Sequence, residues 1–197
     1  MRNLSILVIL LLSGCSSFAQ EKDESIEWRF QLATPKHYNV WVEHLEFERS
    51  GVRHWYHPAG SMGCCWKGPQ GPRGVAGRMD PFPNYIGIQW FSFAEQKFYQ
   101  RLISIPEEWP SLMEVPALYE TSLGEFEAPR DTLTLGLAPG GEIVVWIMNQ
   151  IGNEIEIARL QANEIEGEAF RYKTRTKDYL NEHGDYLKEH GIPLDGW

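Results

Sequence analysis

From residue 27 onward, apolar and polar positions alternate at the two-residue period of a half-buried strand. Glu27 to Ala33 forms the first such run, and Asn39 to Glu48 the clearest one. Val40 and Val42 alternate there with Trp41 and Glu43, and Leu45 and Phe47 with Glu46 and Glu48. The phase slips once between Val42 and Leu45, which predicts a β-bulge or bend. Val52 to His57 follows as a partner strand across a Ser50-Gly51 turn. Tyr85 to Phe93 and Phe98 to Ile105 predict a hairpin turning at Ala94 to Lys97. Thr132 to Leu137 and Glu142 to Met148 predict another around Ala138-Pro139-Gly140-Gly141, where proline presets one φ and glycine tolerates a positive one. Ile155 to Leu160 adds a further strand.

Helical signals are fewer. Pro106 to Tyr119 predicts a short helix starting near Pro106, with Pro110 and Pro116 limiting its length. Near the C-terminus the period changes to that of a helix, with Tyr172, Thr176, Tyr179, Leu180, His183, Leu187 and His190 on one stripe. Gly191 and Pro193 stop it. Seven or eight strands, a short middle helix and one C-terminal amphipathic helix predict a mainly β (α+β) fold. The expected architecture is an antiparallel β-sandwich or open barrel, with the terminal helix covering a sheet face or edge. The glycine- and proline-rich segment between His57 and Asn84 predicts sparse regular structure, and a loop of this length in a compact domain is often functional.

The first residues carry a different pattern. Arg2 precedes an apolar run from Leu4 to Leu12, too short to span a membrane, and Leu12-Ser13-Gly14-Cys15 follows. This reads as a bacterial lipoprotein signal occupying residues 1–14, with Cys15 as the lipid-attachment site. Acyl chains stabilise membrane binding by about 0.8 kcal/mol per buried methylene, so a multi-chain anchor needs no transmembrane helix. Ser16 after the cysteine favours the outer membrane, with the protein facing the periplasm. The competing reading takes Ser17-Phe18-Ala19 as an ordinary cleavage site that releases a soluble periplasmic protein beginning at Gln20. Cys15 to Ser25 reads as a polar tether, and residues 26–197 as a single domain large enough to bury a core.

Charge narrows the partners. With 18 basic and 27 acidic residues the formal net charge is −9, which repels nucleic acid and would steer a basic protein partner inward. No phosphate-binding loop, dinucleotide fingerprint or Gly-x-Ser-x-Gly nucleophile motif occurs, so no cofactor and no catalytic residue is expected.

Once Cys15 is assigned to lipid, Cys64 and Cys65 remain. Adjacent Cα atoms normally lie about 3.8 Å apart, below the usual disulfide range. A vicinal bridge would therefore be strained, and two buried free thiols or a bridge to a second chain are the alternatives to it. A thiol-redox role lacks the two-residue spacer of thioredoxin-type pairs. Zinc held by His54, His57, Cys64 and Cys65 matches no common finger spacing. His183 and His190 lie seven residues apart on the helical stripe and read as packed or edge residues.

Taken together, the lipobox, Gly63-Cys64-Cys65-Trp66-x-Gly68-Pro69-x-Gly71, Trp90-Phe91-Ser92, Lys97-Phe98-Tyr99, and Gly136-Leu137-Ala138-Pro139-Gly140-Gly141 with Trp146 form a recognisable set. This set resembles the DUF2931 family of bacterial lipoproteins. The resemblance implies an envelope protein, and because some relatives stand beside toxin effectors it also implies immunity as one role. It supplies no catalytic residues. The function expected is a non-enzymatic protein-binding module whose partner is a toxin effector or an envelope protein, and Cys64, Cys65 and Trp66 are the candidate binding or structural loop. Trp66 has two readings, contact with that partner or packing under its own loop. A structural envelope lipoprotein and a thiol-redox or other enzyme using the Cys64–Cys65 loop are the alternatives.

Overall fold

The computed structural model describes residues 27–66 and 77–197. The signal segment, Cys15, the tether and most of the Gly-Pro run fall outside the described residues. Two sheets carry the fold. The six-stranded sheet contains β2 (Val40–Arg49), β3 (Arg53–Tyr56), β6 (Tyr85–Ser92), β7 (Lys97–Ser104) and β13 (Asn163–Ile165), with the short β4 (Gly60–Met62) pairing the start of β2. The five-stranded sheet runs in the order β12 (Ile155–Gln161), β11 (Glu142–Met148), β10 (Thr132–Leu137), β1 (Trp28–Ala33) and β5 (Gly77–Met79). Helix α1 spans Glu108–Glu114 and α2 spans Lys173–His190.

Strand alternation sets what each face meets. Phe30, Leu133, Leu135, Val145 and Ile147 of one sheet share a buried core with Val42, Leu45, Phe47, Ile88 and Trp90 of the other. The two sheets therefore pack as a sandwich, and among the described residues no closed barrel forms. The residues between these inward positions face out: Val144, Trp146 and Met148 on β11, and Phe91 on β6. The phase slip in β2 appears as a register shift between Val42 and His44 against β6, as a bulge requires. One pairing breaks the antiparallel rule, because β1 lies parallel to β10.

Thirteen strands occur among the described residues, more than the seven or eight the pattern predicts. The additional ones have weak local signals. β4 and β5 are three-residue pieces inside the glycine-rich segment, formed because β2 and β1 offer open backbone partners. The hairpin of β8 (Pro116–Thr121) and β9 (Gly124–Pro129) is bounded by prolines and rich in glutamate, which hides it from strand propensity. Pro110 also departs from expectation, because α1 runs through it and ends only before Pro116. A proline in the first turn gives up a backbone N–H that has no partner there anyway. The Pro139-Gly140-Gly141 turn forms as expected, with φ of 76° and 77° at its glycines.

Helix α2 covers the outer face of the six-stranded sheet. Tyr172, just before it, stacks on Phe91 at 4.6 Å, and Tyr179 lies against Phe93 at 5.5 Å. Tyr172 also donates a 2.5 Å hydrogen bond to Glu43 on the same sheet. At the helix end Gly191 takes φ 73° and its N–H returns to the Leu187 carbonyl, closing the C-cap.

Candidate functional site: a disulfide-walled cleft

The site begins with three short segments. The turn from Pro35 to Asn39 enters β2, and the Tyr38 N–H donates to the Pro35 carbonyl at 3.1 Å. His37 within it takes φ 75°, a left-handed conformation uncommon for a non-glycine residue. The Tyr179 hydroxyl braces it by donating to the His37 carbonyl at 2.6 Å. Residues Gly63 to Trp66 follow β4 and so lie beside the start of β2. Helix α2 brings Glu182 and His183 to the same place, and a cleft of about 630 Å³ opens between these three segments.

Cys64 and Cys65 form one wall. They are bridged to each other, across a cis peptide and with their Cα atoms 3.1 Å apart. This resolves the three alternatives the sequence left open: neither free thiols nor a bridge to a second chain occurs. The 3.8 Å spacing that argued against a vicinal bridge belongs to a trans peptide.

Trp66 forms the second wall, and its ring is already engaged. Its edge meets Trp146 at 4.8 Å and 85°, and Trp197 lies 6.0 Å away. Gly136 makes this possible, since a Cβ there would stand 2.5 Å from Trp146 and 2.7 Å from Trp66. Trp66 therefore anchors its loop to the outer face of the five-stranded sheet, and the part of it left open lines the cleft.

The polar floor is a chain of side chains. The Asn39 amide stands 3.4 Å from His183 Nε2, and His183 Nδ1 stands 3.4 Å from His37 Nδ1. His183 Nε2 also faces the Glu182 carboxylate at 3.6 Å. Burial, and next the neighbouring Lys36, His183 and His190, hold His37 below the usual imidazole pKa, with Glu182 acting the other way. Asn39 Oδ1 is buried without a partner. Gly63 lets the loop approach this amide closely, because a Cβ there would stand 3.2 Å from it.

Of the residues singled out from sequence, the structure brings Cys64, Cys65, Trp66 and His183 together and adds Lys36, His37, Asn39 and Glu182. His190 stacks on Tyr186 at 4.1 Å instead. His54 bonds to Glu46 at 3.1 Å, and His57 sits beside Gly77, so neither shares a site with the cysteines. Among the described residues no group of three or more His, Cys, Asp or Glu side chains is placed to hold a metal ion, and no helix is long and apolar enough to cross a membrane.

Residues 16–195 match the sequence model of DUF2931, a protein of unknown function. The chain belongs to the DUF2931 family. The match spans every segment that builds the cleft, so in this DUF2931 protein the cleft is part of the family domain rather than an addition to it. No curated protein and no solved structure matches the chain.

Proposed function

We propose that this DUF2931 protein is a non-enzymatic, lipid-anchored binding module of the bacterial envelope, which takes a protein partner at the Cys64–Trp66 cleft. Its expected location is the periplasmic side of the outer membrane, held by lipid on Cys15. The observation that carries the binding reading is the preorganised cleft itself. Its walls are fixed by a disulfide and by Trp66 packed on Trp146, its floor by Tyr179 and the Asn39–His183–His37 chain. A cleft ordered before binding spares the partner that entropic cost. Immunity, in which the cleft occludes an incoming toxin, is the specific form the family resemblance suggests.

Two variants test the two halves of the proposal. Cys15→Ala, analysed by membrane fractionation, is expected to move the protein out of the membrane fraction; unchanged fractionation would remove the anchor. Glu182→Gln changes one exposed cleft carboxylate without touching the loop's packing. It is expected to weaken recovery of a crosslinked envelope partner, and unchanged recovery would place binding elsewhere.

The half-buried disulfide on a cleft wall favours one second reading, a thiol-redox enzyme. A folded Cys64→Ser, Cys65→Ser double variant that keeps the full cellular phenotype would dismiss it. A structural envelope role without a stoichiometric partner would show as diffuse crosslinks.

A further inference from the structure

We propose that the β8–β9 hairpin of one molecule docks into a groove at the start of α2 of a second copy, joining molecules head to tail. Hairpin and groove both lie outside the cleft, at opposite ends of the sandwich. Strand β7 leaves Gln96, which lines the groove, and runs to Ser104, from which the chain passes through α1 into the hairpin. Strand β11 repeats the relation: it starts at the Pro139–Gly141 turn, whose Gly140 N–H donates to Glu95 beside the groove, and ends at the Asn149–Asn153 turn that braces the hairpin.

The hairpin is a rigid arm outside both main sheets. Asn149 donates to the carbonyl of Ala128 at 2.8 Å, and the Gln150 side chain pairs reciprocally with the Glu120 backbone at 2.8 and 2.9 Å. Leu123 at its tip is 87 % exposed. Glu120 and Glu125 sit directly opposite one another across the two strands, a like-charge pairing that is destabilising unless a cation joins it. From Leu102 to Pro129 there are six glutamates and neither lysine nor arginine.

The groove has the opposite character. It encloses about 500 Å³ beside Phe170, which is 73 % exposed, and Leu180. Lys173 and Lys177 stand along it one helical turn apart, on one side of α2. Among the described residues no ion pair engages Glu120, Glu125, Lys173 or Lys177. The hairpin tip, with Leu123 foremost, would enter this space against Phe170 and Leu180, while Glu120 and Glu125 meet the two lysines.

The net charge of −9 on each copy opposes association. Screening over about 8 Å at physiological ionic strength removes most of that repulsion, whereas pairs in direct contact keep their attraction. A contact made by one hairpin tip is small, so it belongs to the weak, transient class. Because the two surfaces differ and lie at opposite ends, the contact does not close a symmetric dimer and instead builds short linear runs.

The test uses the full chain in its own membranes, with photoreactive p-benzoylphenylalanine in place of Leu123. Irradiation is expected to give dimers and a ladder of larger species, with the link mapped to residues 169–181 of another copy. Two charge-reversed forms carry the same probe, Glu120→Lys with Glu125→Lys and Lys173→Glu with Lys177→Glu. Each alone is expected to lose about tenfold in adduct, and mixing the two should restore it, since both contacts are then complementary. A link to any other segment or protein, an absence of adduct, or yields indifferent to charge reversal would overturn the proposal. The mapped link in the protein with its own charges decides the matter even if a reversed form fails to fold.

Discussion

The two outer faces of the sandwich are covered in different ways. The six-stranded sheet is covered by an 18-residue helix, with Tyr172 just before it stacked on Phe91 and Tyr179 within it stacked on Phe93. The five-stranded sheet is covered by Trp66, delivered by a loop and lodged over Gly136 against Trp146. A helix brings its own backbone hydrogen bonds and needs only an apolar stripe. A loop has no such ladder, so a bridged cysteine pair and a large aromatic side chain fix it instead. The cleft lies where the two covers meet, with Trp66 from one and Glu182 and His183 from the other. Its shape therefore depends on both.

Breaking the helix cover should have the largest effect. Phe91 is fully buried between sheet and helix, and Phe91→Ala is expected to cost about 3–5 kcal/mol, read as a fall in urea midpoint. The loop cover is more local. Gly136→Ala drives a Cβ into Trp146 and Trp66 and should cost about 1–3 kcal/mol. In a Trp66→Ala background part of that clash is gone, so a double-mutant cycle is expected to show coupling of about 1 kcal/mol. Full additivity would mean that Gly136 is not what admits Trp66.

Smaller changes probe the junction. Tyr179→Phe removes the hydrogen bond to the His37 carbonyl and should cost about 1 kcal/mol. The pH dependence tests His37 itself. The folded state holds this imidazole neutral, while the unfolded chain takes up a proton below about pH 6.5. His37 thus leaves stability intact above that pH and lowers it as pH falls from there toward the depressed folded value. His57, lowered by burial, acts in the same direction. Asparagine tolerates a left-handed φ, so His37→Asn should flatten the loss between pH 7.5 and 5.5 in urea titrations without removing it. An unchanged slope would mean that the imidazole is not held neutral.

The covers also differ in how far the sequence reveals them. The stripe from Tyr172 to His190 is periodic over five turns and announces α2 with its cap. The sandwich itself follows from strand alternation, including the slip in β2 that becomes a bulge. The loop cover has no period, so Trp66 stays ambiguous until Gly136 and Trp146 are seen beneath it. The cysteine bridge was equally hidden, because a spacing argument assumes a trans peptide. His37 and Asn39 carry no motif, and tertiary packing alone joins them to His183 across 146 and 144 positions of chain. The β8–β9 hairpin escaped for a related reason, since its strands are braced by side-chain amides from a distant turn.

The central claim is that the junction cleft is where a partner binds, and Lys36, exposed on its rim, offers a direct probe. Amine-reactive crosslinking of the lipidated protein in its native envelope, followed by mass spectrometry, reads which neighbour that lysine meets. The account predicts one stoichiometric protein partner linked through Lys36, with the link weakened in Glu182→Gln. A partner linked only through lysines away from the cleft, or a Lys36 that links to no second protein, would contradict it.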